Sequence, residues 1–223
     1  MPLNRPAHRA RLTRALLGCG LAAGPAFVGI ASVEGWRRAE YRALRHPVSS
    51  LALGERGAVQ SANFLMTGVL CSAFAVGVAR AGGPGASRLD PVLVALPAAG
   101  LLACGLFPAD PVNGYPPGTP PTPERMTRPG YLHLAASSAI MAGVPVATAL
   151  HARRASRSDH RRWAEVSAAA TGVTAASFAA ACAGFAQVPP LPRVAGLLQR
   201  VAVSTGFAWL GMLAVRTLRS VDR

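Results

Sequence analysis

The sequence predicts an all-α integral membrane protein: a bundle of six transmembrane helices with a Pro-rich loop on its outer face. Hydrophobic residues make up 51% of the 223 residues and charged residues only 14%, against roughly a quarter charged in an average soluble domain. Six stretches nearly free of charge are about as long as a helix needs to cross roughly 30 Å of hydrocarbon. They are 15–33, 59–79, 92–107, 132–150, 163–185 and 197–215.

The apolar runs are continuous, whereas membrane strands show alternating segments of about ten residues. Helices are therefore predicted for all six stretches, and residues 1–223 are taken as a single membrane domain. Ala, Gly, Ser and Thr crowd these stretches, which favours close packing between helices.

The first span, 15–33, follows a short Arg-rich segment and so resembles a secretory signal peptide. The apolar part of a signal peptide usually has only about 7–15 residues, so an uncleaved signal-anchor helix is expected. Within it, Gly20 and Gly24 have the spacing typical of closely packed membrane helices.

The next two spans differ in polar content and in length. The second, 59–79, begins with Gln60 and Asn63, which are about one turn apart and share a helix face. The third, 92–107, is the shortest and contains Pro97.

Each of the last three spans has a polar residue close to its start. His133 lies one residue into the fourth, Glu165 is near the start of the fifth, and Gln199 and Arg200 open the sixth. Ionisable groups at membrane depth are costly and tend to face the bundle interior or a wet cavity.

The distribution of Arg predicts the orientation. All 23 basic residues are Arg, and with the N-terminus inside, 14 lie in inner segments and nine in outer ones. Basic residues favour the cytoplasmic side, so both termini are predicted to be cytoplasmic in the cell membrane. The expected partners are membrane lipids, including anionic lipids of the inner leaflet.

The net charge of +14 does not predict nucleic-acid binding, because it is spread over loops and half of the chain is apolar. Four cysteines, Cys19, Cys71, Cys104 and Cys182, lie in spans without metal-ligand spacing. No metal and no cofactor are predicted. Cys104 and Cys182 both fall toward the outer ends of their helices, which leaves a disulfide open.

The two longer outer loops carry most of the informative polar residues. In the first, Trp36, Tyr41 and Leu44 alternate with Arg at helical spacing, a pattern typical of interfacial segments. The second, 107–124, is rich in Pro and Gly, and Pro stiffens such a loop.

Polar residues that are not part of the Arg surplus are predicted to gather at the outer face. We expect a shared polar pocket formed by His46, Ser49, Glu55, Gln60, Asn63, Asp110, His133, Gln199 and Arg200.

Several of these residues also form a recognisable set. The run His46-Pro-Val-Ser-Ser-Leu-Ala-Leu-Gly54, followed by Phe107-Pro-Ala-Asp-Pro111, Leu132-His133 and Leu197-Leu-Gln-Arg200, resembles the multi-pass bacterial membrane family known as domain of unknown function 998. The likeness covers nearly the whole chain. It implies a six-helix bundle and no known reaction, and the stretch 119–129 is longer than the family pattern.

Three functions remain open. In the first, the pocket binds a lipid headgroup or small polar ligand, with Gln199 and Arg200 holding an anionic group and Asp110 orienting Arg200. The second is a membrane scaffold or accessory subunit with a membrane-protein partner.

The third is an intramembrane hydrolase. His46 or His133 would act as the base, Asp110 or Glu55 would pair with it, and Ser49 or water would be the nucleophile. The motifs G-x-S-x-G and H-E-x-x-H are both missing from the sequence, so the balance favours a non-enzymatic protein.

Overall fold

The computed structural model describes residues 5–82, 87–158 and 160–221, and these residues form six long α-helices. The helices are α1 (Arg5–Trp36), α2 (Gly57–Ala81), α3 (Leu89–Leu106), α4 (Arg128–Ser156), α5 (Arg161–Phe185) and α6 (Ala195–Val221). All six are long and apolar enough to cross a membrane. The prediction of an all-α bundle of six membrane-spanning helices is confirmed. Arg223, counted above as an inner Arg, lies outside the described residues.

Most helices extend beyond the apolar stretches that predicted them. α1 begins at Arg5 rather than near residue 15, and α4 runs from Arg128 to Ser156 rather than from 132 to 150. Hydrophobicity locates the part of a helix that crosses hydrocarbon, whereas main-chain hydrogen bonding continues into the polar boundary. Pro97 remains inside α3, which is the shortest of the six helices at 18 residues.

The helices form a closed ring in chain order. Each helix packs against the next one in the sequence, and α1 packs against α6 to close the ring. The six helices therefore surround a common central space.

The connections lie at two ends of the ring. The first end, here called the loop end, carries segments 37–56, 107–127 and 186–194, and it is the end predicted to face outward. The other, here called the terminal end, carries the N-terminal part of α1, the C-terminal part of α6 and the two shorter connections.

Glycines allow close contacts between neighbouring helices. A Cβ atom on Gly20 of α1 would lie 2.7 Å from the ring of Phe74 in α2, and a Cβ atom on Gly24 would lie 2.8 Å from Phe207 in α6. Phe74 is fully buried at this contact. The Gly20-x-x-x-Gly24 pattern thus serves two different helix interfaces, in agreement with the predicted role of small residues.

The first loop-end connection is folded onto the bundle rather than spread along the membrane surface. Tyr41 is buried, while Trp36 and Leu44 are exposed, and a 3₁₀ helix at Val48–Ala52 precedes α2. The interfacial pattern of this segment does not anticipate the burial of Tyr41. The Tyr41 hydroxyl donates to the carbonyl oxygens of Pro47 (2.9 Å) and His46 (3.2 Å), which satisfies its polar end inside the fold.

Candidate functional site

The centre of the helix ring contains a cavity of about 360 Å³. This volume lies within the range of roughly 300–1,000 Å³ that is usual for small-molecule sites. Every helix contributes an apolar side chain to its wall, as shown by Phe27, Cys71, Leu101, Met141, Phe178 and Phe207. The cavity is therefore a product of the ring as a whole and not of one helix pair.

The cavity is elongated along the bundle. His133 and His151 both line it, and 18 residues of α4 separate them, which corresponds to about 27 Å at 1.5 Å per residue. A volume of 360 Å³ whose wall extends over that length is elongated rather than compact. An extended chain suits this shape better than a compact ring system does.

Near the loop end, the wall of the cavity includes exposed residues of α4 and α5. Leu134 and Cys182 belong to its wall, and both are exposed. Further along the same pair of helices, the hydroxyls of Thr148 and Thr171 are hydrogen bonded at 2.8 Å. This hydrogen bond joins α4 to α5 at that point, whereas the wall residues of the same helices nearer the loop end are exposed.

Four of the nine predicted pocket residues line this cavity at its loop end: Ser49, Asp110, His133 and Gln199. They come from the first connection, the Pro-rich segment, α4 and α6. The structure therefore brings together side chains that are as far apart in sequence as 150 residues.

Two of these four residues also hold the mouth of the cavity in shape. The Gln199 Oε1 atom accepts a hydrogen bond of 2.8 Å from the Val48 main-chain N–H, which joins α6 to the first connection. The Asp110 carboxylate accepts from the Thr127 main-chain N–H at 2.9 Å and from its hydroxyl at 2.7 Å. Thr127 is the N-cap of α4, so Asp110 anchors the start of that helix.

His133 differs from the other lining residues because half of its hydrogen-bonding capacity is unused. The residue is only 3% exposed, and its Nδ1 atom lies 2.8 Å from the Phe107 carbonyl oxygen. The Nε2 atom is buried and has no hydrogen-bond partner in the protein. A buried polar atom without a partner is rare and calls for an explanation, such as a ligand or water.

Arg200 does not pair with Asp110 as the sequence suggested. Its Nη1 atom donates to the carbonyl oxygens of Ala43 (2.6 Å), His46 (3.0 Å) and Gly196 (3.0 Å), and its Nη2 atom donates to the Tyr41 hydroxyl. The guanidinium is occupied in tying the first connection to α6. Its contacts give it a structural role, and it is not among the cavity-lining residues.

His46 is part of the same connection and packs between aromatic rings. Its ring centroid lies 5.5 Å from that of Tyr41 and 5.1 Å from that of Tyr115, and its Nδ1 atom accepts a hydrogen bond of 3.0 Å from the Arg42 main-chain N–H. Burial, and to a smaller extent the positive charges of Arg45, Arg42 and Arg200, together lower the pKa of His46 to about 4. His46 is therefore neutral at physiological pH.

This neutral His46 predicts that the protein is less stable in mild acid. In the unfolded chain the residue takes up a proton near pH 6.5, whereas in the folded chain it does so only near pH 4, so stability falls as the pH drops through this window. The shift corresponds to a loss of at most about 3 kcal/mol. We expect the unfolding midpoint to fall between pH 7 and pH 4.5 in the wild type, and to fall less in His46→Asn, which keeps an acceptor near the Nδ1 position. An equal fall of the unfolding midpoint in the wild type and in His46→Asn would show that His46 is not the cause of the acid sensitivity.

The remaining predicted residues lie away from the cavity. Glu55 is exposed. Gln60 and Asn63 are buried in α2, where the Asn63 Nδ2 atom donates to the Gln60 Oε1 atom (3.2 Å) and to the Phe27 carbonyl oxygen (3.1 Å). They share one helix face as expected, but they link α2 to α1 rather than line the pocket.

Arg38 is a second guanidinium that holds the loop end together, although in the sequence it stood out only as part of the Arg count that predicts orientation. Its guanidinium donates to the carbonyl oxygens of Leu53 (3.0 Å), Leu51 (2.8 Å) and Arg56 (3.0 Å), and it lies 3.6 Å from the Glu34 carboxylate. Glu34 is four residues earlier in the chain, and that spacing is the one signal in the sequence that pointed to this pair.

Asn113 joins the three loop-end segments. Its side-chain amide donates to the Arg45 carbonyl oxygen at 2.8 Å, and its Oδ1 atom accepts from the Gln187 side chain at 2.6 Å. The residue is fully buried and has a φ of 62°, a left-handed conformation that Asn tolerates better than most residues. The Pro-rich segment is therefore a fixed part of the site.

At the terminal end of the cavity, His151 lies beside an ion pair. The Asp90 carboxylate is 3.5 Å from the His151 Nε2 atom and is also paired with Arg154. The His151 ring packs edge-on against Trp209 at 5.1 Å. The two ends of the cavity thus carry polar groups, and the wall between them is largely apolar.

The geometry gives little support to hydrolysis. Among residues 5–82, 87–158 and 160–221, neither His46 nor His133 is paired with a carboxylate, and no group of three potential metal ligands occurs. All four cysteines are free, so Cys104 and Cys182 form no disulfide.

Comparison with known proteins identifies a family without an assigned activity. A family model described as a protein of unknown function, DUF998, matches residues 21–216. No curated protein and no solved structure matches the chain.

Proposed function

The chain belongs to the DUF998 family of proteins of unknown function, and we propose that it binds a single-chain amphiphile within the membrane. The hydrocarbon chain of the ligand lies in the central cavity, and its polar end lies at the loop end beside His133. The single observation that carries this proposal is the elongated cavity of about 360 Å³, which is largely apolar along its length and carries polar groups at its ends.

The wall of the cavity matches a hydrocarbon chain in its chemistry. Residues such as Leu101, Met141 and Phe207 present carbon atoms to the interior, and transfer of apolar surface into such surroundings is favourable by about 25 cal/mol per Å². A small polar ligand has little apolar surface to bury against this wall and would gain no binding free energy from it. A ligand with a hydrocarbon chain is therefore favoured over a small polar one.

The exposed wall residues of α4 and α5 support entry from the bilayer. Six apolar helices place the bundle in contact with lipid, and the exposed wall residues Leu134 and Cys182 lie where a chain would pass from the bilayer into the ring. The amphiphile would therefore need no passage through water.

The Arg distribution supports a loop end that faces away from the cytoplasm, with both termini inside. In this orientation, which we propose for the cell membrane, the ligand is taken from the outer leaflet. Its polar end then sits at the depth of the outer headgroups.

The proposal is tested by filling the cavity. Val203 lines it from α6, while Val201 is 38% exposed and lies on the other side of the same helix, about 200° away at 3.6 residues per turn. We expect Val203→Trp to block the chain and Val201→Trp to leave it in place. The probe is 1-hexadecanol with a photoreactive diazirine at mid-chain, applied to the protein in phosphatidylcholine nanodiscs, with labelled residues mapped by mass spectrometry.

In the wild type and in Val201→Trp, we expect labelling of wall residues such as Met141 and Phe207, and at least a tenfold loss of that labelling in Val203→Trp. Met141→Trp fills the same space from α4 and repeats the test if Val203→Trp does not yield a monodisperse protein. Labelling confined to lipid-facing residues in the wild type, or unchanged wall labelling in both filled variants, would refute the proposal.

A further inference from the structure

We infer that the polar end of the bound amphiphile is an uncharged hydroxyl group that donates a hydrogen bond to the His133 Nε2 atom. This inference rests on the proposed function and names the chemical class of its ligand. It starts from one atom: a buried nitrogen that has no hydrogen-bond partner in the protein and belongs to a residue that lines the cavity.

The hydrogen bond on the other side of the ring fixes what this nitrogen can do. The His133 Nδ1 atom lies 2.8 Å from the Phe107 carbonyl oxygen, and a carbonyl oxygen can only accept. The Nδ1 atom therefore carries the hydrogen. In a neutral imidazole, the Nε2 atom is then a lone-pair acceptor.

The surroundings favour that neutral ring. His133 is 3% exposed, and its ring packs edge-on against Phe64 at 5.9 Å. The Asp110 carboxylate, the acidic group in the same part of the wall, accepts both of its hydrogen bonds from Thr127. A buried imidazolium without a paired carboxylate is costly, so the ring is neutral and its Nε2 atom is an acceptor without a partner in the protein.

An acceptor of this kind selects between classes of headgroup. A carboxylate, sulfonate or ionised phosphate only accepts hydrogen bonds, so it would meet the lone pair of the Nε2 atom without forming a bond. An ammonium group can donate, but it would enter a loop end that holds the guanidinium groups of Arg38 and Arg200. A hydroxyl donates without bringing a charge. Single-chain alcohols and monoacylglycerols have this chemistry.

The direct test compares three competitors that share one chain. 1-Hexadecanol, its methyl ether and hexadecane-1-sulfonate are each titrated against the photoreactive hexadecanol in nanodiscs, and labelling of the wall residues is measured. The ether keeps the chain and the oxygen but has no hydrogen to donate. We expect the alcohol to compete at least about tenfold better than the ether, and the sulfonate to compete no better than the ether.

Variants of His133 connect this preference to the nitrogen atom. His133→Asn keeps an amide N–H near the Nδ1 position but has nothing at the Nε2 position, so we expect the alcohol and the ether to compete equally. His133→Gln places a carbonyl oxygen near the Nε2 position, and we expect it to restore most of the preference. Because the readout is a ratio between two ligands on one protein, a general loss of stability does not imitate it.

The outcomes separate the two proposals. Equal competition by the alcohol and the ether in the wild type, with wall labelling still lost in Val203→Trp, would overturn the hydroxyl inference and leave chain binding supported. A preference for the alcohol that persists in His133→Asn would also overturn it. Stronger competition by the sulfonate would identify an anionic headgroup instead. Failure of every competitor to change wall labelling would overturn both proposals.

Discussion

Replacing Arg38 with alanine is expected to lower the free energy of unfolding by about 3–5 kcal/mol, the range seen when one partner of a buried charged network is removed. The Arg38 side chain is only 9% exposed. Its loss would leave the carbonyl oxygens of Leu51 and Leu53 without their present donor and would remove one of the two cations near Glu34. Hydrogen bonds from charged groups contribute about 1.5–3 kcal/mol each.

The neighbouring residue provides a matched control. Arg37 carries the same charge but is exposed, so Arg37→Ala is expected to change the free energy of unfolding by no more than about 0.5 kcal/mol. Arg38→Lys should recover only part of the loss, because one ammonium group cannot donate to several carbonyl oxygens as the planar guanidinium does. The free energy of unfolding of these three variants is measured by titration with SDS in mixed micelles, with Trp fluorescence as the signal. Similar SDS unfolding midpoints for Arg38→Ala and Arg37→Ala would show that the hydrogen bonds of Arg38 contribute little to stability.

The contrast between Arg37 and Arg38 shows which parts of the fold could be predicted from the sequence. The six helices were predictable because a long apolar run by itself indicates a segment buried in the membrane, where its main chain must be helical. Each run can be recognised without knowing the others. The role of Arg38 was not, because its partners are main-chain carbonyls at positions 51, 53 and 56. Every residue has a carbonyl group, so side-chain identity carries no signal for such contacts.

The candidate site was predictable only in part for the same reason. Ser49, Asp110, His133 and Gln199 were selected for their positions near span ends, and all four line one cavity. The expected Asp110–Arg200 pair was wrong, because Thr127 offers Asp110 both a hydroxyl and a main-chain N–H nearby. The cavity itself depends on closure of the ring between α1 and α6, which no local pattern encodes.

The joint between α6 and the first connection leads to the second large prediction. Gly196 is buried, and a Cβ atom placed on it would lie 2.5 Å from the carbonyl oxygens of both Ala43 and His46. Gly196→Ala must therefore push the main chain of the connection away from α6. This movement strains the hydrogen bonds that Arg200 donates to the same two carbonyl oxygens. Overpacking of this kind typically costs about 1–3 kcal/mol, and we expect a loss toward the upper end of that range.

The effect should extend to ligand binding, because the displaced segment continues into the cavity wall. Pro47, Val48 and Ser49 line the cavity, and Val48 is held to α6 through Gln199. We therefore expect Gly196→Ala to reduce wall labelling by the photoreactive alcohol severalfold even under conditions where the protein remains folded.

Gly211 is the matched control for this substitution, since it lies in the same helix and has nothing within 4 Å of the position of a Cβ atom. Gly211→Ala should raise the free energy of unfolding by about 0.5–1 kcal/mol, because alanine favours the helix, and should leave wall labelling unchanged. If one Gly→Ala substitution lowers the free energy of unfolding and the other raises it, the difference must come from the surroundings of each Cβ atom, because both positions lie in the same helix. If Gly196→Ala instead proves neutral in both assays, the contact between α6 and residues 43–46 is looser than the structure shows, and the mouth of the cavity is not held by it.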